Sequence, residues 1–214
     1  MESNAGYLSV SGETVTEKTI EKSRFITTSA HVDGEEEAKA FISSVREKYK
    51  DATHNCYAYV ADEKGNFMRF SDDGEPQGTA GMPMLEVVRA QNLKQTAVVV
   101  TRYFGGIKLG AGGLLRAYSG SVAENLAEAK KVCFQPCVEN SYTVDYPFTD
   151  SALRFFGESD CTLTDTEYSD SVVFTVAVKK EGEEAFNSSI INRLNGKVSI
   201  KRLREYLFPF PVTK

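Results

Sequence analysis

Residues 95–118 constrain what this chain can fold into more than any other stretch. Ala97-Val98-Val99-Val100 is a continuous apolar run rather than an alternating one, the pattern of a strand covered on both faces in the middle of a sheet. Gly105-Gly106 stops the strand, Gly110, Gly112 and Gly113 follow, and helical spacing then sets in through Leu114, Leu115, Tyr118, Val122 and Leu126. A central strand that leads through a glycine loop into a helix needs partner strands on both edges and helices to cover its faces.

The flanking sequence supplies both. Glu13 to Val32 alternates in short runs broken near Lys22-Ser23, which predicts a hairpin with Ile20, Phe25 and Ile26 partly buried. After Gly34, the residues Ala38, Phe41, Ile42, Val45 and Tyr49 recur at helical spacing, and Glu35-Glu36-Glu37 sit where the helix dipole favours acids. Asn55 to Ala61 and Asn66 to Phe70 read as two strands turned by Asp62-Glu63-Lys64-Gly65. Ser71 to Gly81 is too polar for a strand and too broken for a helix, which predicts an exposed loop before a helix around Met84 to Gln91.

Past Lys130 to Pro136 a new pattern begins, so the domains are expected at 1–133 and 137–214. The second reads as a strand (138–146), a helix (149–158), two strands (162–168 and 172–179), a helix (183–194) and a last strand (197–206). That βαββαβ order is the ferredoxin-like split βαβ, an antiparallel sheet with two helices on one face, and the whole chain is of the α+β class.

At 214 residues the chain has room for two domains, and 41% hydrophobic with 26% charged residues is an ordinary globular composition. The net charge of -5 gives no bulk attraction to nucleic acid or anionic lipid, so any such contact needs a local patch. No run approaches the roughly 18 apolar residues that span a bilayer, and Met1 to Ala5 leads into polar sequence without a signal pattern. No membrane association is expected, and the cytoplasm is the expected location. Cys56, Cys133, Cys137 and Cys161, with only His31 and His54 beside them, have no zinc spacing and read as reduced thiols; neither a metal nor a cofactor is expected.

Four groups of residues carry candidate chemistry. Gly105, Gly106, Gly110, Gly112 and Gly113 precede a helix, beside Arg102, Lys108 and Arg116. Glycines there let backbone N–H groups face a phosphate, while Tyr103 and Phe104 offer rings to a base. The pattern is neither GxxxxGK[ST] nor GxGxxG, so a purely structural turn stands beside the phosphate or RNA reading. Asp72, Asp73 and Glu75 raise metal binding or acid–base work, against capping from Thr79 onward or pairing with Arg102 or Arg116. His54 and Cys56 lie two apart in a strand, the minimum for a cysteine–histidine pair, but without an orienting third group. Lys197, Lys201, Arg202 and Arg204 form a basic patch on the last strand, where a slip in the apolar register predicts a bulge that fans the cations outward.

Three segments, THNCYAY (53–59), DDGEPQGTAGMPML (72–85) and TRYFGGIKLGAGGLLRAY (101–118), are similar in order and spacing to the signature of the YigZ/IMPACT family. The resemblance implies an N-terminal two-layer fold like the second domain of a small-subunit ribosomal protein, and a C-terminal ferredoxin-like domain like the last domain of elongation factor G. It also implies a translation-linked regulatory or binding role, since eukaryotic members compete for the activator of a starvation-responsive kinase. The expected partner is RNA, the ribosome or a translation-regulator protein. The alternatives are a hydrolase working through Cys56, His54 and the acidic loop, and a protein-only regulator.

Overall fold

The computed structural model describes residues 6–212, so Met1 to Ala5 lie outside the described residues. Those residues divide into two compact units, the first built mainly from Tyr7–Val132 and the second from Cys133–Phe210.

The first unit holds β1 (Tyr7–Val10), β2 (Thr14–Ile20), β3 (Ser23–His31), α1 (Glu35–Lys48), β4 (His54–Val60), β5 (Met68–Ser71), α2 (Gly81–Ala90), β6 (Thr96–Tyr103) and α3 (Gly110–Glu128). Its main sheet runs β2-β3-β6-β4-β5, with β6 in the middle and every pairing antiparallel. The parity of β6 explains its unbroken apolar run. Val98 and Val100 pack with Met84, Leu114, Tyr118 and Val122 of α2 and α3. Ala97 and Val99 face the other way, against Ala38, Ile42 and Val45 of α1. Helices cover both faces of one antiparallel sheet, three layers where the resemblance implied two, so both parities of its central strand must be apolar.

The hairpin closes at Glu21-Lys22, both with positive φ (44° and 64°), the two-residue turn whose twist matches that of paired strands. Phe25 and Ile26 are fully buried rather than partly so, because β3 lies second from the edge between β2 and β6. Strand β1 has no counterpart in the sequence reading; it bridges Leu8 to Leu93, a contact set by residues far along the chain.

In the second unit, β7 (Lys131–Val144), α4 (Thr149–Glu158), β8 (Cys161–Tyr168), β9 (Val172–Lys179), α5 (Glu183–Arg193) and β10 (Ser199–Pro211) follow the βαββαβ order. Their strands lie in the order β10-β7-β9-β8. Ala152 and Phe156 of α4 and Ile190 and Leu194 near α5 pack on Tyr142, Phe174 and Val176 of the sheet. Strand β7 starts seven residues before the expected position 138 and β10 runs to 211, since ladder pairing carries a strand through polar residues that break its apolar pattern. The β8–β9 register shifts between Leu163 and Asp165.

Candidate functional site

The three similar segments converge on one buried carboxylate, Glu75. Its Oε1 accepts from Nη1 of Arg102 at 2.6 Å and from the Tyr118 hydroxyl at 2.8 Å, with His54 Nε2 at 3.9 Å. The three partners come from β6, α3 and β4, so one carboxylate ties together two strands and a helix. The Glu75 and Arg102 side chains are only 4% and 5% exposed. Arg102 also donates to Ser23 Oγ at 3.2 Å, and its guanidinium carbon lies 5.4 Å from the centres of both the Phe25 and Phe104 rings. Charge pairing, hydrogen bonds and ring stacking together immobilise it.

The neighbouring acids build the loop. Asp72 accepts from the N–H groups of Gly78, Ala80 and Gly81 at 2.8 to 3.0 Å, which satisfies the otherwise uncapped start of α2. Asp73 accepts from the Asn55 N–H at 2.6 Å and pairs with Arg46 at 2.7 Å, while its carbonyl accepts from His54 Nδ1–H at 2.8 Å. Each carboxylate is engaged by N–H donors, and among the described residues no group of three or more His, Cys, Asp or Glu side chains is placed to hold a metal ion.

Two candidate roles change on this geometry. Arg102 is not on an outward phosphate surface: it shares the parity of Val98 and Val100 on β6 and therefore points under the helices to Glu75. Cys56 is fully buried, donates to the Asp72 carbonyl at 3.0 Å and has its thiol pushed up to about 12 by burial, so it is no thiolate nucleophile. Tyr103 lies on the opposite sheet face from Arg102, where its hydroxyl donates to Asp51 and Arg24 stacks on its ring at 5.5 Å.

The glycines divide into separate roles. A Cβ on Gly105 would stand 2.0 Å from the Lys22 backbone, so the hairpin turn rests directly on this residue. Gly106 and Gly110 hold positive φ (86° and 69°). At Gly112 a Cβ would meet nothing nearer than Arg116 Nη1 at 3.7 Å. Outward from the node, Phe104 and Leu115 are 47% and 46% exposed, with Ile107 beside them in sequence, and Lys108 and Arg116 are exposed with no ion pair among the described residues. Ile20, Glu21, Ile107 and Leu109 line a cleft of about 460 Å³ with these two cations.

The basic patch of the second unit is partly neutralised. Arg204 pairs with Glu139 at 2.7 Å and lies 4.5 Å from the Tyr206 ring centre, and Arg202 pairs with Glu183 at 3.2 Å. Lys197 and Lys201 are unpaired among the described residues, and Leu203 is exposed. Sequence reasoning missed Ser23, Arg46 and Tyr118 as members of the polar node. Tyr118 carried a signal: it is a tyrosine among the aliphatic core positions of α3, and a buried hydroxyl needs an acceptor.

Fold and site together define an α+β protein whose first unit is organised around a buried Glu75–Arg102 pair and whose second unit is ferredoxin-like. Residues 21–126 match the Impact N-terminal domain, and residues 143–197 match a domain of unknown function, DUF1949. The chain is 44% identical over 182 residues to the IMPACT family member YvyE of Bacillus subtilis, covering 85% of this chain and 84% of that one. It is 37% identical over 188 residues to the IMPACT family member YigZ of Escherichia coli, covering 87% and 92%. A crystal structure of a hypothetical protein superposes with a TM-score of 0.59 at 34% identity, covering 94% of this chain and 98% of that one. The chain belongs to the IMPACT family. Among the described residues no helix is long and apolar enough to cross a membrane.

Proposed function

We propose that this protein is a translation-linked regulatory protein of the cytoplasm that binds a component of the translation apparatus through the glycine-loop surface of its first unit. One observation carries the reading. The family segments place Glu75 and Arg102 inside, tie Asp72 and Asp73 into the acidic loop by N–H hydrogen bonds, and leave Lys108, Arg116, Phe104, Ile107 and Leu115 outside. A surface braced from beneath, whose two cations have no ion pair among the described residues, is suited to recognition. The hydrolase reading has lost its nucleophile, because Cys56 is buried and protonated. Lys197 and Lys201 of the second unit serve as an accessory contact.

The test is affinity capture from a cell lysate, with and without nuclease, comparing wild type with Lys108→Glu/Arg116→Glu. Translation components are expected on wild type and at least tenfold depleted on the variant. Equal recovery by both proteins, or recovery of no translation component by wild type, refutes the proposal.

A further inference from the structure

The cleft beside the glycine loop carries the reading above one step further, to the chemistry of the partner. We infer that it docks a short acidic segment of a protein, anchored by aliphatic side chains, rather than a nucleic acid.

Charge is the first reason. The chain has 30 acids against 25 bases, and Arg24, Arg46 and Arg102 of the same unit are each consumed by a carboxylate of the chain. Lys108 and Arg116 face one cleft and have no such partner among the described residues. Two such cations sharing one cleft are complementary to an anion from outside.

The walls are the second reason. Ile20, Ile107 and Leu109 line the cleft, an aliphatic surface that takes leucine- or isoleucine-like side chains. Nucleic acid requires a different lining, with rings for bases and a succession of cations along the phosphates. Here Tyr103 is stacked by Arg24 on the other sheet face, and Phe104 has the Arg102 guanidinium over its ring.

The test is a fluorescence-anisotropy titration of the full chain with four labelled probes. These are a peptide of repeated Glu-Glu-Leu units about twelve residues long, the same peptide with glutamine for glutamate, the same with alanine for leucine, and a mixed-sequence single-stranded RNA of equal length. The acidic leucine peptide is expected to saturate, and to bind at least tenfold more weakly as the glutamine form or to Lys108→Glu/Arg116→Glu. The alanine form and Ile107→Ala should each weaken it severalfold, with far-UV circular dichroism confirming that the variants fold. Binding of the RNA, but not the peptide, through Lys108 and Arg116 overturns this inference and leaves the proposed function standing. Failure of the peptide to bind, or peptide binding indifferent to Lys108 and Arg116, overturns it as well. If lysate capture is also indifferent to those two residues, the proposed function falls with it.

Discussion

Arg102→Met should be among the most damaging single substitutions in the first unit, and the damage should be partly reversed by a second change at Glu75. The methionine keeps much of the packing volume between Phe25 and Phe104 but removes the cation 2.6 Å from a carboxylate that is 4% exposed. Tyr118 still donates to Glu75, yet one neutral hydroxyl cannot compensate a buried charge. Breaking a buried pair by removing one partner costs about 3–5 kcal/mol. With a urea dependence of about 2 kcal/mol/M for a unit of this size, the midpoint should fall by roughly 1.5–2.5 M. Glu75→Gln/Arg102→Met leaves no buried charge, while its amide oxygen still accepts from Tyr118, so the double variant should recover about 2 kcal/mol over Arg102→Met alone. Urea unfolding followed by circular dichroism gives the midpoints, and amide exchange across β4 and β6 assigns the loss to the first unit. A midpoint shift below about 0.5 M for Arg102→Met, or a double variant as unstable as the sum of its singles, would refute the electrostatic account of the node.

Four further outcomes follow from the structure. Cys56 should resist iodoacetamide at pH 8, because a thiol pushed up to about 12 has roughly a thousandfold less thiolate than an ordinary cysteine; peptide mass spectrometry showing labelling at the rate of the unfolded chain would contradict this. Because that folded-state value is raised, the stabilisation it reports is complete below the unfolded cysteine range and is lost as pH climbs toward 12, so Cys56→Ala should flatten the alkaline arm of the stability curve. Gly105→Ala should destabilise by about 2 kcal/mol or more, since its methyl collides with the Lys22 backbone, whereas Gly112→Ala should stabilise by up to about 1 kcal/mol; thermal melts that reverse this order would overturn the division of glycine roles. In the second unit, hydrogen bonding from Arg204 holds the Glu139 carboxyl below the ordinary glutamate range, so its contribution is present above that range and lost as pH falls through the lowered value; Glu139→Gln should reduce the acid-side slope, and an unchanged slope would count against the pair.

Much of the architecture was legible in the chain itself. The run from Ala97 to Val100 announced a strand covered on both sides, the helical spacing of α1 and α3 announced their buried stripes, and the second half spelled out βαββαβ. What escaped was long-range: β1 makes an isolated bridge from Leu8 to Leu93, and β7 and β10 extend beyond their apolar patterns because neighbouring strands continue the ladder. The site was half legible. The glycines, acids and cations were recognisable as a group, but Arg102 and Arg116 looked equivalent in one dimension, and Leu115 looked like core.

By itself, then, the sequence determined the strands, turns and helices apart from β1 and the ends of β7 and β10, because side-chain periodicity and turn chemistry act over windows of a few residues. Only the tertiary structure decided that Glu75, 27 positions away, would meet the Arg102 guanidinium, while Lys108 and Arg116 would remain without carboxylate partners among the described residues. Pairing between charges depends on where separate elements bring them in space, and a loop's direction is set by the helix and strands it joins rather than by its own residues.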